Sequence, residues 1–152
     1  MVFLKKNCYN NVIKEIGVLV IMIKLLTVDD SSTIRRVYGN VLPRIFVDKI
    51  ELLEAENGIE GLKVLKNNPD IQLIFLDINM PEMNGKEMLA TLRKNKEYDK
   101  IRVVMVTTEA EKKTVIQMMK LGANGYIVKP FNIDAVSKSL TPILARMNIA
   151  TK

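Results

Sequence analysis

Three acidic residues follow short apolar segments of the chain in a way that could support metal and phosphoryl chemistry. Asp29 and Asp30 come directly after "IKLLTV", and Asp77 ends the run "LIFLD". If both segments are strands of one parallel sheet, their carboxyl ends meet at one edge and the carboxylates crowd together. At ~4 Å and an effective dielectric constant of about 20, each pair of carboxylates repels by about 4 kcal/mol.

Two further polar residues are expected at the same edge. Thr107 follows "RVVMV" and Lys129 follows "GYIV". One lysine cannot neutralise three carboxylates, so either carboxyl pKa values rise or a divalent cation lies among them. With only oxygen ligands at this edge, the cation is expected to be hard, such as Mg²⁺, Mn²⁺ or Ca²⁺. Each residue taken singly is better explained by an ordinary role in a cap, turn, loop or strand end, but the set together favours a functional edge.

The composition excludes several other kinds of chemistry. The chain has no histidine, which rules out histidine acid–base catalysis, histidine metal ligands and a phosphohistidine on this chain. The net charge of +6 comes without an arginine-rich run, zinc-finger spacing or a helix-turn-helix pattern, so no nucleic-acid partner is expected. A single cysteine, Cys8, excludes an internal disulfide and fits a reducing compartment.

The first 21 residues are expected to form an extension outside the core. The apolar run "IGVLVIMI" is too short to span a bilayer, Lys24 interrupts it, and no small-residue cleavage site follows. We therefore expect no membrane segment and one domain over residues 22–152. Met22 directly precedes "IKLLTVDD" and is a candidate start, in which case residues 1–21 would be an over-extended reading frame.

Short apolar runs alternate with helix-length segments along the rest of the chain. Five strands, each expected to be buried on both faces, are predicted at 23–28, 49–54, 71–76, 102–106 and 125–128. Five helices are predicted to begin near Ser31 or Ser32, at Gly58, near Asn84, at about Ala110 and after Asn132, and Pro43 is expected to end or kink the first. Strict alternation predicts an α/β domain, a doubly wound (βα)5 fold with a five-stranded parallel sheet.

Four motifs in order resemble one known family. "VDDSSTIRR", "LDINMPEMNG", "VTTEAEKK" and "GANGYIVKPF" are together similar to the receiver domains of response regulators in two-component signalling, of the CheY-like class. The resemblance covers residues 23–147, and the spacing of the motifs also fits. It implies a flavodoxin-like fold with strand order 2-1-3-4-5, where strand 1 is the one predicted at 23–28.

The resemblance assigns a role to the polar residues at the sheet edge. Asp77 corresponds to the phosphoacceptor, which would attack a phosphohistidine on a partner protein. Asp29 and Asp30 correspond to the acidic pair that binds Mg²⁺ together with Asp77 and the backbone carbonyl of Asn79; Mn²⁺ is the alternative ion. Lys129 would neutralise the phosphoryl group, and the bond from this lysine to the following proline is cis in the family.

The resemblance also identifies switch and lifetime positions. Thr107 is the hydroxyl that moves toward the phosphoryl group, and Tyr126 occupies the aromatic switch position. Asn79 and Glu109 lie where the family tunes dephosphorylation. Thr108 stands where many relatives carry alanine, and its extra bulk is expected to crowd small phosphodonors.

The implied function is that of a single-domain response regulator. A sensor histidine kinase or a histidine phosphotransferase would supply the phosphoryl group, and a separate output protein would bind the face of helix four, strand five and helix five. The pathway is chemotaxis or another phosphorelay. The protein is expected to be a cytoplasmic monomer and not an enzyme beyond its own phosphorylation and self-dephosphorylation. Met118 and Met119 are expected in the core, and Lys112, Lys113 and Lys120 on a solvated face.

Two other functions are weaker alternatives. A Mg²⁺-dependent phosphohydrolase with an aspartyl-phosphate intermediate would need an acid–base residue and a lid over a small substrate. The haloacid-dehalogenase pattern also has a second aspartate two places after its nucleophile, which "VDDSS" lacks. A flavodoxin-type flavin protein would need a phosphate-binding loop where the chain has acidic residues.

Overall fold

A parallel sheet with helices on both faces forms the centre of the molecule. The structure is a computed structural model that describes residues 12–15, 18–108 and 111–152, with side chains from residue 22 onward. The strands are β1 Val12–Glu15, β2 Val18–Val28, β3 Lys49–Ala55, β4 Leu73–Asp77, β5 Arg102–Thr107 and β6 Gly125–Val128. The helices are α1 Ser32–Val41, α2 Gly58–Asn67, α3 Gly85–Lys94, α4 Lys112–Lys120 and α5 Ile133–Arg146.

The five parallel strands lie in the order β3-β2-β4-β5-β6. Counted without β1, this is the order 2-1-3-4-5, so the predicted doubly wound fold is confirmed. The register aligns the carboxyl ends of the strands. Val28 at the end of β2 pairs with Leu76, Asp77 pairs with Val106, and Thr107 pairs with Val128.

Alternating side chains of the central strands build two separate cores. On one face, Phe75 of β4 and Val104 of β5 pack with α1 and α5. On the other face, Leu76 and Met105 pack with α2, α3 and α4. Because both faces are covered, β4 is buried along its whole length, which makes it a rigid support for the residue at its end.

The expectation that all five strands are buried on both faces is wrong for the two edge strands. Most of β3 is half-buried or exposed, and its Glu51 and Glu54 face Lys24 and Arg35 respectively. In β6, Tyr126 is exposed while Ile127 is buried. An edge strand has a neighbour on one side only, so water reaches part of its side chains.

Side-chain caps begin the helices close to the predicted positions. Ser31 caps α1 by accepting from the Ile34 N–H, and Asn132 caps α5 in the same way. After α1 the chain continues as a short 3₁₀ turn that contains Pro43, which ends the helix as expected. The predicted start of α4 at Ala110 lies outside the described residues, and the helix is described from Lys112.

The sequence prediction missed a hairpin before the sheet. Strand β2 begins at Val18, five residues before the predicted start, and its first four residues pair with the antiparallel strand β1. The segment predicted to be an extension therefore includes a sixth strand. Cys8 lies outside the described residues, and the alternative start at Met22 stays a prediction.

The surface of α4 differs in part from expectation. Met118 is buried and Lys112, Lys113 and Lys120 are exposed, as predicted. Met119 is exposed, and the prediction that it packs in the core is wrong. Among the helices of the described residues, none is both long and apolar enough to cross a membrane.

One arginine joins three segments on the α3 side of the sheet. The Arg93 guanidinium donates to the carbonyl oxygens of Gly122 (3.0 Å), Tyr98 (2.9 Å) and Ile101 (2.8 Å), and to the Asn124 side chain. Burial lowers the pKa of Arg93. This clamp connects α3 to the loop after α4 and to the segment that precedes β5.

Replacing this arginine by lysine should destabilise the fold. Arg93→Lys keeps the charge but cannot reach several carbonyls at once, so about 2–3 kcal/mol of the free energy of unfolding should be lost. Urea denaturation measures this loss of stability, and Arg146→Lys at an exposed position of α5 is the control. Equal stability of both variants would show that the clamp contributes nothing.

Candidate functional site

The predicted polar residues do meet at the carboxyl edge of the sheet. Asp29 follows β2, Asp77 ends β4, Thr107 ends β5 and Lys129 follows β6. The first two are nearly inaccessible, with 1% and 6% of their surface exposed, and Thr107 is buried as well. Charged and hydroxyl groups are thus gathered where most surrounding side chains are apolar.

Backbone contacts hold Asp29 in a fixed orientation. Its Oδ1 accepts from the Ser31 N–H at 2.9 Å, and its own N–H donates to the Ala55 carbonyl. The Asp29 carbonyl accepts from Arg35 Nη1 at 2.6 Å, and Arg35 also pairs with Glu54. Arg35 therefore links the start of α1 to β3 and to the backbone of Asp29.

The loop after Asp77 passes very close to the strand it leaves. The Gly85 N–H donates to the Ile78 carbonyl at 2.8 Å, and the Ile78 N–H donates to Val106. A Cβ atom at residue 85 would overlap the Asp77 carbonyl oxygen and lie 2.9 Å from the Ile78 Cα. Only glycine fits this close approach, which turns the chain directly into α3.

Lys129 bridges the two buried carboxylates. Its Nζ lies 2.7 Å from Asp29 Oδ2 and 3.3 Å from Asp77 Oδ1. Burial lowers the pKa of Lys129, but its hydrogen bonds and charge interactions with Asp29 and Asp77 outweigh this, and the pKa is raised overall. The lysine is held protonated at neutral pH. The Lys129–Pro130 bond is cis, as the family resemblance implies.

The three carboxylates crowd as the sequence predicts. Asp29, Asp30 and Asp77 each offer an oxygen, and these oxygens lie within 4.8 Å of one another. Burial and the charge of Asp29 raise the pKa of Asp77 to about 6 although Lys129 opposes the shift. One lysine leaves surplus negative charge among oxygen ligands, a donor set that fits a hard divalent cation.

The other predicted residues surround this cluster at different depths. Asp30 and Thr108 are exposed at the ends of β2 and β5, and Asn79 is exposed two residues after Asp77. The metal-binding role of the Asn79 carbonyl stays a prediction. Glu109 lies outside the described residues, so its role in dephosphorylation also stays a prediction.

Tyr126 lies on a different surface from the cluster. Its ring is 44% exposed on β6, and the exposed apolar side chains of Ile116, Met119 and Leu121 lie on or directly after α4. The Tyr126 carbonyl accepts from Ser139 of α5 at 2.9 Å. This is the predicted face of α4, β6 and α5.

Sequence reasoning missed two residues behind the site. Arg35 holds the Asp29 carbonyl, and Tyr38 is buried on the face of the sheet that carries Phe75. Both belong to α1, where an arginine and a tyrosine are ordinary helix residues. Their positions depend on the packing of α1 against β3 and β4, and no local sequence pattern signals it.

Comparisons with known proteins agree with this architecture. Residues 25–141 match the family model described as the response regulator receiver domain. The chain is 46% identical over 121 residues to a chemotaxis protein CheY homolog of Campylobacter jejuni, which covers 80% of this chain and 92% of that protein.

Solved structures show the same likeness. CheY4 of Vibrio cholerae superposes with a TM-score of 0.72 at 32% identity, over 81% of this chain and 99% of that one. The CheX-CheY-BeF3-Mg²⁺ complex of Borrelia burgdorferi gives a TM-score of 0.71 at 25% identity, covering 84% and 90% of the two chains.

Replacing Gly85 by alanine should distort the loop after Asp77. The added methyl must displace backbone atoms, so Gly85→Ala should lower the free energy of unfolding by about 2–4 kcal/mol. Gly39→Ala in α1 is the matched control, because a Cβ atom at residue 39 would meet no atom within 4 Å. This variant should raise the free energy of unfolding by about 0.5–1 kcal/mol, since alanine favours a helix over glycine. Thermal or urea unfolding measures the stability of the two variants. Equal stability would contradict the conclusion that residue 85 has no room for a side chain.

Removing the Asp77 charge should stabilise the metal-free protein at neutral pH. The folded-state pKa of about 6 lies above the ordinary 3.8, so ionisation costs stability as pH rises through that interval. Asp77→Asn avoids this cost and should gain about 1–2 kcal/mol at pH 7, a range discounted for solvent screening.

At pH 4 the wild-type carboxyl is largely protonated, and the gain of Asp77→Asn should shrink toward zero. Urea titrations at the two pH values in a chelating buffer measure the difference. If Asp77→Asn were less stable than the wild type at pH 7, the charge of Lys129 would already offset the repulsion between the carboxylates.

Proposed function

The chain belongs to the response-regulator receiver family, and from this membership we propose that Asp77 accepts a phosphoryl group from a phosphohistidine on a partner protein. The convergence of Asp29, Asp30 and Asp77 with Lys129 at one sheet edge carries the proposal. The donor is a sensor histidine kinase or a histidine phosphotransferase, because this chain has no histidine of its own.

The residues that would hold a divalent cation are the three carboxylates. Asp29, Asp30 and Asp77 supply side-chain oxygens, and the Asn79 carbonyl is the proposed fourth ligand. Mg²⁺ suits this small all-oxygen set, and Mn²⁺ is the second choice. The cation, when bound, supplies positive charge that offsets the negative charge of the phosphoryl oxygens.

The chain's own residues position the transfer. An Asp77 carboxylate oxygen forms a bond to phosphorus while the bond from phosphorus to the imidazole nitrogen breaks, and the electron pair stays on that nitrogen. Lys129 already lies within contact distance of Asp77, so its charge can stabilise the phosphoryl oxygens. The buried strand and the Gly85 loop prevent Asp77 from moving away.

Thr107 and Tyr126 are proposed to convert phosphorylation into a change of surface. The new phosphoryl oxygens accept a hydrogen bond from the Thr107 hydroxyl, which requires the end of β5 to shift. Tyr126 then turns from its exposed position toward the space that this shift leaves. Because α4, β6 and α5 share this surface, an output protein can distinguish the two states there.

Asn79 and Glu109 are proposed to set the lifetime of the phosphoryl group. In the sequence they stand two residues beyond Asp77 and Thr107 respectively, the positions at which the family tunes dephosphorylation. Thr108 is exposed after the end of β5, and its bulk is proposed to narrow access for small donors. The protein's chemistry is thus its own phosphorylation and dephosphorylation.

Chemotaxis is the proposed pathway because the relatives named above are chemotaxis proteins. We further propose a cytoplasmic monomer that binds neither membranes nor nucleic acids. A lone cysteine accords with a reducing compartment, and the lysines of α4 form a solvated face.

The phosphohydrolase alternative is not favoured. The family match and the CheY-type relatives are signalling proteins of the receiver class, and the chain offers no histidine to activate water or protonate a leaving group.

Phosphorylation by a small donor tests the proposed function. With Mg²⁺ and phosphoramidate, the wild type should gain one phosphoryl group, and Asp77→Asn should show at least a hundredfold lower yield because it lacks the nucleophile. Asp99→Asn, at an exposed position far from the cluster, is the charge-matched control and should label like wild type. Intact-mass spectrometry and Phos-tag gels measure the yield.

Two results would contradict the proposal. One is equal labelling of the wild type and the Asp77→Asn variant. The other is sustained turnover of p-nitrophenyl phosphate at many cycles per protein, which would indicate a hydrolase.

A further inference from the structure

Tyr38 of α1 lies buried behind the proposed phosphoryl site. Only 1% of its surface is exposed. Its ring packs between Phe75 and Phe131, with centroid distances of 5.0 Å to each and interplanar angles of 35° and 32°. A tyrosine held on two sides by aromatic rings has little freedom to turn its hydroxyl elsewhere.

The two flanking rings belong to the segments that carry the site residues. Phe75 precedes Asp77 by two residues in β4, so both side chains point to the same face of the sheet. Phe131 follows Lys129 by two residues, directly after the cis proline. Tyr38 therefore contacts both the strand that carries Asp77 and the segment that follows Lys129.

The Tyr38 hydroxyl is the unusual feature of this packing. Among the residues whose side chains the structure describes, it is the buried polar atom without a hydrogen-bond partner. An unsatisfied buried donor destabilises the fold, so a tyrosine is unfavourable here unless its hydroxyl makes a hydrogen bond in the working protein. Phenylalanine would fill the same space without the cost.

The acid cluster is the feature nearby that can use a donor. The Tyr38 ring packs on Phe75, which lies on the same face of β4 as Asp77, so the phenol is on the cluster's side of the sheet. Burial first, and then the negative charges of Asp29 and Asp77, raise the pKa of the phenol, which stays protonated. Asp29 and Asp77 each keep acceptor capacity beyond the bonds to Lys129 and Ser31.

We propose that Tyr38 is a positioning residue for the phosphoryl site: its ring packs between the Asp77 strand and the segment that follows Lys129, and its hydroxyl donates a hydrogen bond to a buried water that bridges to the acid cluster. The proposal rests on the proposed function for its biological meaning. Donors of this kind orient metal-binding carboxylates and contribute to metal affinity although they do not touch the metal.

Mg²⁺ binding to the full chain tests the proposal. Isothermal titration calorimetry with MgCl₂ should give about tenfold weaker binding for Tyr38→Phe than for wild type. The chain has four tyrosines and no tryptophan, so near-ultraviolet difference spectra report tyrosines directly. Mg²⁺ should perturb the wild-type tyrosine spectrum, and Tyr38→Phe should remove most of that signal.

Tyr98→Phe is the matched control. Tyr98 is partly buried on the other face of the sheet, so its variant also loses one phenol oxygen but should keep wild-type Mg²⁺ affinity and spectral response. Urea unfolding without Mg²⁺ confirms that both variants are folded.

The outcomes separate this proposal from its premise. Wild-type affinity in Tyr38→Phe, or equal weakening in both variants, overturns the positioning role. If the wild type binds Mg²⁺ but phosphoramidate labels the wild type and Asp77→Asn equally, the proposed function fails while the Tyr38 comparison still decides the positioning role. Failure of the wild type to bind Mg²⁺ contradicts both.

Discussion

The mutual repulsion of three carboxylates at one sheet edge is the constraint on which the rest of the structure depends. Asp29, Asp30 and Asp77 lie within 4.8 Å of one another, and Lys129 offsets only part of their charge. Such a cluster costs stability, and burial together with the negative charge of Asp29 raises the pKa of Asp77. A rigid fold is needed to hold it together, and two covered sheet faces, a clamping arginine and a glycine-only turn provide that rigidity.

The same constraint gives a physical basis for the proposed switch. Charged groups held close together without full neutralisation respond strongly to a new charge, because water does not screen them well. A phosphoryl group at Asp77 would disturb the contacts of Lys129 and Thr107 first. Thr107 ends β5 and Lys129 directly follows β6. A local electrostatic change at these residues therefore has a short structural path to the exposed face that includes β6.

Much of the fold and the site could be predicted from sequence because the signals are local. Apolar runs identify buried strands, and the parallel order brings their polar ends together. The pairing of β1 with the start of β2 was missed because an unbroken apolar run does not show where a strand begins. The exposure of Met119 and the partial exposure of β3 depend on which elements lie at an edge. Tyr38 could not be assigned because its neighbours come from segments far apart in the chain.

The most direct measurement of the central claim is the chemical identity of the phosphorylated residue. Borohydride reduces an aspartyl acyl phosphate to homoserine, which peptide mass spectrometry locates. After treatment with Mg²⁺ and phosphoramidate, we expect homoserine at position 77 in the peptide containing "LDINMPEMNG". Homoserine at position 29 or 30, or a stable phosphoester on a serine or threonine, would contradict it.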